Sequence, residues 1–116
     1  MILNKNVVIA INAVKALRKS NASVRVEDLA VSLNESSDFL QQIVRKLRIA
    51  EILVVKRGPG GGVIINPEYT TISAHAVACA VDTSYRKLYS SIEYDGLSAV
   101  DTLKRSICGA FMDSTI

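Results

Sequence analysis

The sequence predicts an α+β fold that is mainly α-helical, and three observations support this prediction. Apolar residues recur at helical spacing in several stretches before residue 50. Two short β-branched runs follow at residues 52–56 and 63–65, and the turn RGPGGG separates them. Beyond residue 96, apolar residues again recur at three- and four-residue steps, which predicts a long C-terminal helix.

The first helix is predicted from a cap at Asn4 or Asn6 to about Lys19. Its apolar stripe comprises Val7, Ala10, Ile11, Val14 and Leu17. Residues 24–26 are a candidate third strand beside the hairpin. A brief helix then runs from Val26 or Glu27 to Ser32, and residues 33–35 form a turn.

The next helix, at about residues 36–49, has two different faces. Its cap is Ser36, and its apolar stripe consists of Leu40, Ile43, Val44 and Leu47. The opposite face carries Asp38, Gln41, Gln42, Arg45 and Arg48. Amide and guanidinium groups hydrogen-bond base edges and phosphates, so this outer face is a candidate for DNA contact.

The hairpin turn, residues 57–62, combines an arginine with four glycines. We interpret it as a charged loop that is too flexible to pack, within a wing at residues 56–63. A helix pair followed by a basic hairpin is the layout of a winged helix-turn-helix DNA reader. The helix pair alone would equally fit an ordinary αα-hairpin. A nucleotide-phosphate loop is disfavoured, because strand-like residues follow the glycines and no Gly-Lys-Ser/Thr ending exists.

Charge is distributed unevenly along the chain, whose net charge is +3. Residues 1–65 contain ten Lys or Arg against five Asp or Glu, whereas residues 66–116 contain four against six. The basic half is therefore the candidate partner for a polyanion. The N-terminal stretch is too polar to span a membrane and lacks a small-residue cleavage site, so we expect a cytoplasmic protein.

Residues 24–82 resemble the Rrf-two family of bacterial winged-helix repressors, which includes iron–sulfur cluster and cysteine-metabolism regulators. The residues that carry this resemblance are Asp28-Leu29-Ala30, Ser36, Phe39-Leu40, Gln42-Ile43, Lys46-Leu47-Arg48, the run from Arg57 to Gly62, and Ala80-Val81-Asp82. The resemblance implies a homodimer on a palindromic operator in double-stranded DNA, with one recognition helix in each major groove and the wing in the minor groove. The expected DNA-binding residues are Ser36, Asp38, Gln41, Gln42, Arg45, Lys46, Arg57, Gly58, Gly60 and Gly61.

Several positions depart from the family pattern. Glu35 stands where the family usually has an apolar residue, and Glu51 stands where it often has Gly. Cluster-binding members carry three closely spaced cysteines before the long helix, and this sequence has none there. We therefore expect no cofactor, no metal and no iron–sulfur cluster. We interpret His75 as a surface or helix-capping residue.

Residues 1–70 are predicted to form the DNA-binding domain and residues 71–116 a helical dimerisation or effector region. A capped helix is predicted from Ser73 to about Val81. The expected dimerisation residues are Leu97, Val100, Leu103, Ile107 and Phe111, because a small domain offers that stripe little cover. Packing of the stripe on its own domain is the alternative.

The sequence therefore favours a DNA-binding transcription regulator, and within that class a repressor, over two rival classes. One rival is a thiol-based redox or small-molecule sensor that uses Cys79 or Cys108. The other is a winged-helix protein-interaction module that binds no DNA. An enzyme is disfavoured, because neither paired carboxylates nor a nucleophile with a base are apparent.

Overall fold

The structure is a computed structural model, and it describes residues 5–87. The elements in chain order are α1 (Lys5–Ser20), α2 (Val26–Leu33), α3 (Ser37–Ile49), β1 (Leu53–Lys56), β2 (Gly62–Ile65) and α4 (Ala74–Val81). Residues 83–87 are helical as well. The predicted fold, mainly helical with a small hairpin, is confirmed. The expected dimerisation residues, from Leu97 to Phe111, lie outside the described residues.

Helix α1 differs from its prediction in its buried face. Of the two predicted caps, Asn6 is excluded because it lies inside the helix, and Asn4 is outside the described residues. Ile9 and Ala13 are buried beside the expected stripe, whereas Ile11 is only half-buried. None of the helices within residues 5–87 combines the length and the apolar character that crossing a bilayer requires.

Helix α3 lies at the centre of the described fold. Its predicted stripe of Leu40, Ile43, Val44 and Leu47 is buried, with Leu40 and Leu47 fully inaccessible. The stripe belongs to one core cluster, to which α1, α2, α4 and the hairpin also contribute. Exposing a single Leu or Ile of this kind costs about 1.5–3 kcal/mol. The rotation of α3 about its own axis is therefore fixed, and its polar face must point outward.

The turn between α2 and α3 is held by backbone geometry and by a side-chain cap. Asn34 has a φ of +56°, a left-handed conformation that Asn tolerates better than most residues. The next residue, Glu35, donates its N–H to the Ala30 carbonyl at 2.9 Å. Ser36 then accepts a hydrogen bond from the Phe39 N–H at 3.1 Å, so its predicted capping role is confirmed.

Glu35 occupies the position after this turn that in many helix ends holds an apolar residue. Its carboxylate instead lies 3.8 Å from the Lys5 ammonium group, and its side chain is 19% exposed. The polar residue at this position is therefore accommodated by an ion pair with the start of α1.

The end of α3 is a turn that favours glycine. The Ile52 N–H bonds to the Leu47 carbonyl at 3.0 Å, and the Glu51 N–H bonds to the Arg48 carbonyl at 2.9 Å. This pair of bonds defines a Schellman motif, in which the first residue after the helix cap is left-handed and most often Gly. Glu51 fills that position with a φ of +64°, so it carries backbone strain that a glycine would not.

Strands β1 and β2 pair antiparallel, with Leu53 opposite Ile65 and Lys56 opposite Gly62. Val24 adds an isolated bridge to β2, through hydrogen bonds of 3.1 and 2.8 Å with Val63. The predicted third strand at residues 24–26 is therefore reduced to a one-residue bridge at Val24, because Val26 already begins α2. The hairpin is anchored at Leu53 and Val63, which are buried, while Val55 and Lys56 are exposed.

Replacement of Glu51 by Gly should stabilise the fold. A residue with a β-carbon pays about 1–2 kcal/mol in the left-handed conformation, and Gly removes this cost. Gly also makes the unfolded chain more flexible, which offsets about 0.4–1 kcal/mol of the gain. We expect the free energy of unfolding of E51G to rise by roughly 0.5–1 kcal/mol in urea titration.

E51Q is the matched control, since it removes the same charge but keeps the β-carbon. Its free energy of unfolding should stay close to that of the wild type. If E51Q and E51G raise the free energy of unfolding equally, then the charge of Glu51, and not its backbone conformation, destabilises this turn.

Candidate nucleic-acid interface

The outer face of α3 presents the polar side chains that the sequence singled out. Asp38, Gln41, Gln42 and Arg45 are all exposed. They border one concave surface with Arg48 and with three valines of α2 and the hairpin, namely Val26, Val55 and Val63. The burial of the opposite stripe brings these polar groups together. The concave surface therefore joins the outer, polar face of α3 to the base of the hairpin.

The wing carries its cation at the junction between strand and turn. Arg57 follows β1 directly and is exposed. Behind it, Gly58 and Gly60 have φ values of +99° and +71°, which only glycine adopts without strain. The Gly61 N–H bonds back to the Gly58 carbonyl at 2.9 Å and closes the turn.

The interpretation of this turn as too flexible to pack is wrong. A β-carbon on Gly61 would overlap the carbonyl oxygen of Lys56, and one on Gly62 would overlap the carbonyl of Val24. The Ser23 hydroxyl also donates a hydrogen bond to the Gly60 carbonyl. Two of the glycines are thus required by close backbone packing, and the wing tip has a defined shape.

Lys46 follows Gln42 by four residues on α3 but is directed toward α4. Its ammonium group donates to the Val81 carbonyl at the end of α4, at 3.5 Å. The assignment of Lys46 as a DNA contact stays a prediction. The hydrogen bond to Val81 would compete with such a contact. Arg48, which was absent from the expected DNA-binding residues, lines both the concave surface and a groove between α3 and β1, where it lies with Arg45 and Arg57.

A second polar cluster joins α4 to the helical segment at residues 83–87. The His75 Nδ1 atom is 2.9 Å from the Tyr85 hydroxyl, and Tyr85 is buried. The Cys79 Sγ atom lies 3.6 Å from His75 Nε2. The interpretation of His75 as a surface or capping residue is therefore wrong, because Ser73 caps α4 and His75 is half-buried against Tyr85.

This cluster does not fit a metal or an iron–sulfur centre. Across residues 5–87, no three His, Cys, Asp or Glu side chains come together as a metal site requires. His75 is engaged with Tyr85, and Cys79 is the one thiol beside it in the described part of the chain. Cys108 is outside the described residues, and the expectation of no cluster stays a prediction.

Three helices, a tight turn before the third and a glycine-tipped hairpin packed beside it define a winged helix-turn-helix protein. A family model described as "Rrf2: Iron-dependent Transcriptional regulator" matches residues 3–108, and the chain belongs to this family. The resemblance seen in the sequence is thereby confirmed. Membership also confirms that the chain is of a regulator class and not an enzyme.

Individual relatives carry the same kind of name. The HTH-type transcriptional regulator IscR of Vibrio vulnificus is 36% identical over 69 residues, which are 60% of this chain and 41% of that protein. IscR of Yersinia pestis is 32% identical over 69 residues, again 60% of this chain and 42% of the relative. The matched region thus spans well under half the length of these curated relatives.

Solved structures of related fold match nearly the whole chain. T. potens IscR matches with a TM-score of 0.76 at 20% identity, over 99% of this chain and 82% of that one. The oxidized form of Staphylococcus aureus CymR matches with a TM-score of 0.72 at 17% identity, over 99% and 92% of the two chains. At these identities the comparison speaks for the fold alone.

Proposed function

We propose that this chain is a sequence-specific, DNA-binding transcription regulator that acts in the cytoplasm as a dimeric repressor. The observation that supports this proposal best is the concave surface shared by α3 and the hairpin. There α3 presents two amides and two guanidiniums beside the hairpin, and Arg57 lines the neighbouring groove together with Arg45 and Arg48. Family membership supports regulation, and the geometry suggests how DNA would be engaged.

In this proposal α3 enters the major groove. Gln41 and Gln42 are exposed next to each other near the N-terminal end of α3, and Gln is suited to bidentate bonding with adenine N6 and N7. Ser36 and Asp38 lie at the same end of the helix, where they can meet bases or phosphates. Arg45, one turn further along, is suited to phosphate or guanine contact.

The dimensions of the hairpin suit a reach into the neighbouring minor groove. From Leu53 to Arg57 an extended ribbon advances about 14 Å, at about 3.4 Å per residue. Half a turn of B-DNA, which separates adjacent grooves on one face, is about 17 Å. A wing of this length can therefore place Arg57 at the minor groove while α3 occupies the major groove. The compact backbone at Gly58, Gly60 and Gly61 permits close approach to the phosphates.

The proposed two-fold dimer is supported by the apolar stripe that begins at Leu97, and the family resemblance implies its palindromic operator. Each protomer would read one half-site, and half-site centres should be about 34–36 Å apart or a multiple of that distance. Because those residues lie beyond the described part of the chain, the dimer is supported by sequence periodicity and by the family alone.

Gln42→Ala and Arg57→Ala test the two arms of the proposal. Both side chains are exposed, so each variant should keep the wild-type melting temperature within about 2 °C, as surface substitutions do. Each should weaken binding to an operator selected from a random DNA pool by roughly tenfold, the change expected on removal of an interaction of about 1–3 kcal/mol.

Lys15→Ala is the matched control, since Lys15 is exposed on α1 and borders a separate groove with Asn12 and Arg18. It should leave operator binding nearly unchanged. If Q42A or R57A instead unfolds the protein, that residue is structural and its assignment fails. If the wild type does not shift random duplex DNA at low salt, a protein-interaction module is the better description.

A second candidate function, thiol-based sensing, is favoured by the contact of Cys79 with His75. The imidazole can accept the thiol proton, and the thiolate then attacks one oxygen of hydrogen peroxide. The O–O bond breaks, hydroxide leaves, and Cys79 becomes a sulfenic acid. The change would occur on α4, whose last carbonyl contacts Lys46 of the recognition helix.

Peroxide treatment before a DNA-binding assay tests this candidate. If Cys79 is the sensor, peroxide should change the Kd of the wild type and of C108S, and C79S should not respond. A thiol reductant should then restore the original Kd, since the formation of a sulfenic acid is reversible. An equal response of C79S and the wild type would remove Cys79 as the switch.

A further inference from the structure

A groove between the C-terminal half of α3 and strand β1 carries three arginine side chains. Arg45 and Arg48 line it from the helix, and Arg57 lines it from the end of β1. The groove is open, with a volume of about 740 Å³. Ile49 and Val55 contribute an exposed apolar floor. Glu51 and Glu68 border the same groove, so its three guanidinium groups outnumber its carboxylates by one.

The three guanidinium groups are available to an external anion. Arg45 and Arg48 are one helical turn apart and separated by about 4.5 Å along the axis, so both project to the same side. All three residues are exposed. The ion pairs found within residues 5–87 are Lys5–Glu35 and Arg25–Glu27, so none of the three arginines is held in an ion pair in this region.

The position of the groove identifies the anion it suits. A helix in the major groove and a wing in the adjacent minor groove straddle one sugar–phosphate strand of the duplex. The surface between helix and wing is the surface that this strand must cross. In this protein that surface is the three-arginine groove.

We propose that the three-arginine groove binds the phosphates of the DNA strand that separates the two grooves, with Arg48 bound to a phosphate. This inference rests on the proposed DNA-binding function, and it assigns a specific phosphate contact to Arg48, which the sequence placed on the outer face of α3 but not among the expected DNA-binding residues. Arg48 lies toward the C-terminal end of α3, away from Ser36 and Gln41, so it meets backbone and not base edges. The carboxylates of Glu51 and Glu68 repel phosphate, so the strand should lie nearer to the three guanidinium groups than to these two residues.

The salt dependence of binding to a random-sequence duplex of about 30 base pairs tests this assignment without knowledge of the operator. The slope of log K against log of the salt concentration changes by about 0.9 for each phosphate that the protein no longer neutralises. We expect Arg48→Gln to make the slope shallower by about 0.9, and Arg48→Lys to restore most of the wild-type slope.

Lys15→Gln provides the matched control, because it removes one positive charge from the groove on α1. Its slope should equal that of the wild type within error, and melting curves should confirm that all variants are folded. A wild-type slope for R48Q overturns the inference while leaving the proposed function intact. An equally shallow slope for R48Q and K15Q also overturns it, since general charge would then explain the effect.

If the wild type binds no duplex at low salt, the proposed function fails and the groove assignment fails with it. If the slope becomes shallower for R48Q and not for K15Q, while Q42A keeps the full slope on random DNA, then phosphate binding and base reading are separate. That combination supports the groove assignment directly.

Discussion

The burial of one face of α3 is the constraint on which the rest of the described structure depends. Leu40, Ile43, Val44 and Leu47 pack into the core formed with α1, α2, α4 and the hairpin. Their combined transfer from water contributes several kcal/mol, at about 1.5–3 kcal/mol for each residue. Any rotation that turned the glutamines inward would expose this stripe and bury charge. The outward direction of the polar face is therefore a consequence of packing.

Backbone geometry fixes the remaining parts of the surface. The helix-ending turn at Glu51 directs the chain back along α3 into β1, and the Asn66 side-chain amide donates to the Glu51 carbonyl at 2.9 Å. Glycines that cannot accept a β-carbon fold the wing tip, and Ser23 braces it from the preceding loop. The wing consequently holds the backbone of Arg57 in a fixed position relative to α3, which in the proposed function would reduce the entropic cost of binding DNA.

The elements built from local periodicity were predictable from the sequence. The stripe of α3, the Ser36 cap and both strands depend on residues within a few positions of one another. The glycine run identified the wing, although its close backbone contacts with Val24 were not apparent from composition. Contacts between separate elements were missed, namely Ser23 with Gly60, Lys46 with Val81 and His75 with Tyr85. No local pattern encodes them, because each depends on how two separate elements dock.

In the proposed function, the outer face of α3 and the wing contact duplex DNA together. An NMR titration of the labelled protein with operator DNA tests this claim most directly. We predict that the largest amide shift changes fall on residues 36–42 and 57–61, while the outer face of α1 around Lys15 changes little. Changes concentrated on α1 or α4, with the wing unaffected, would contradict the claim.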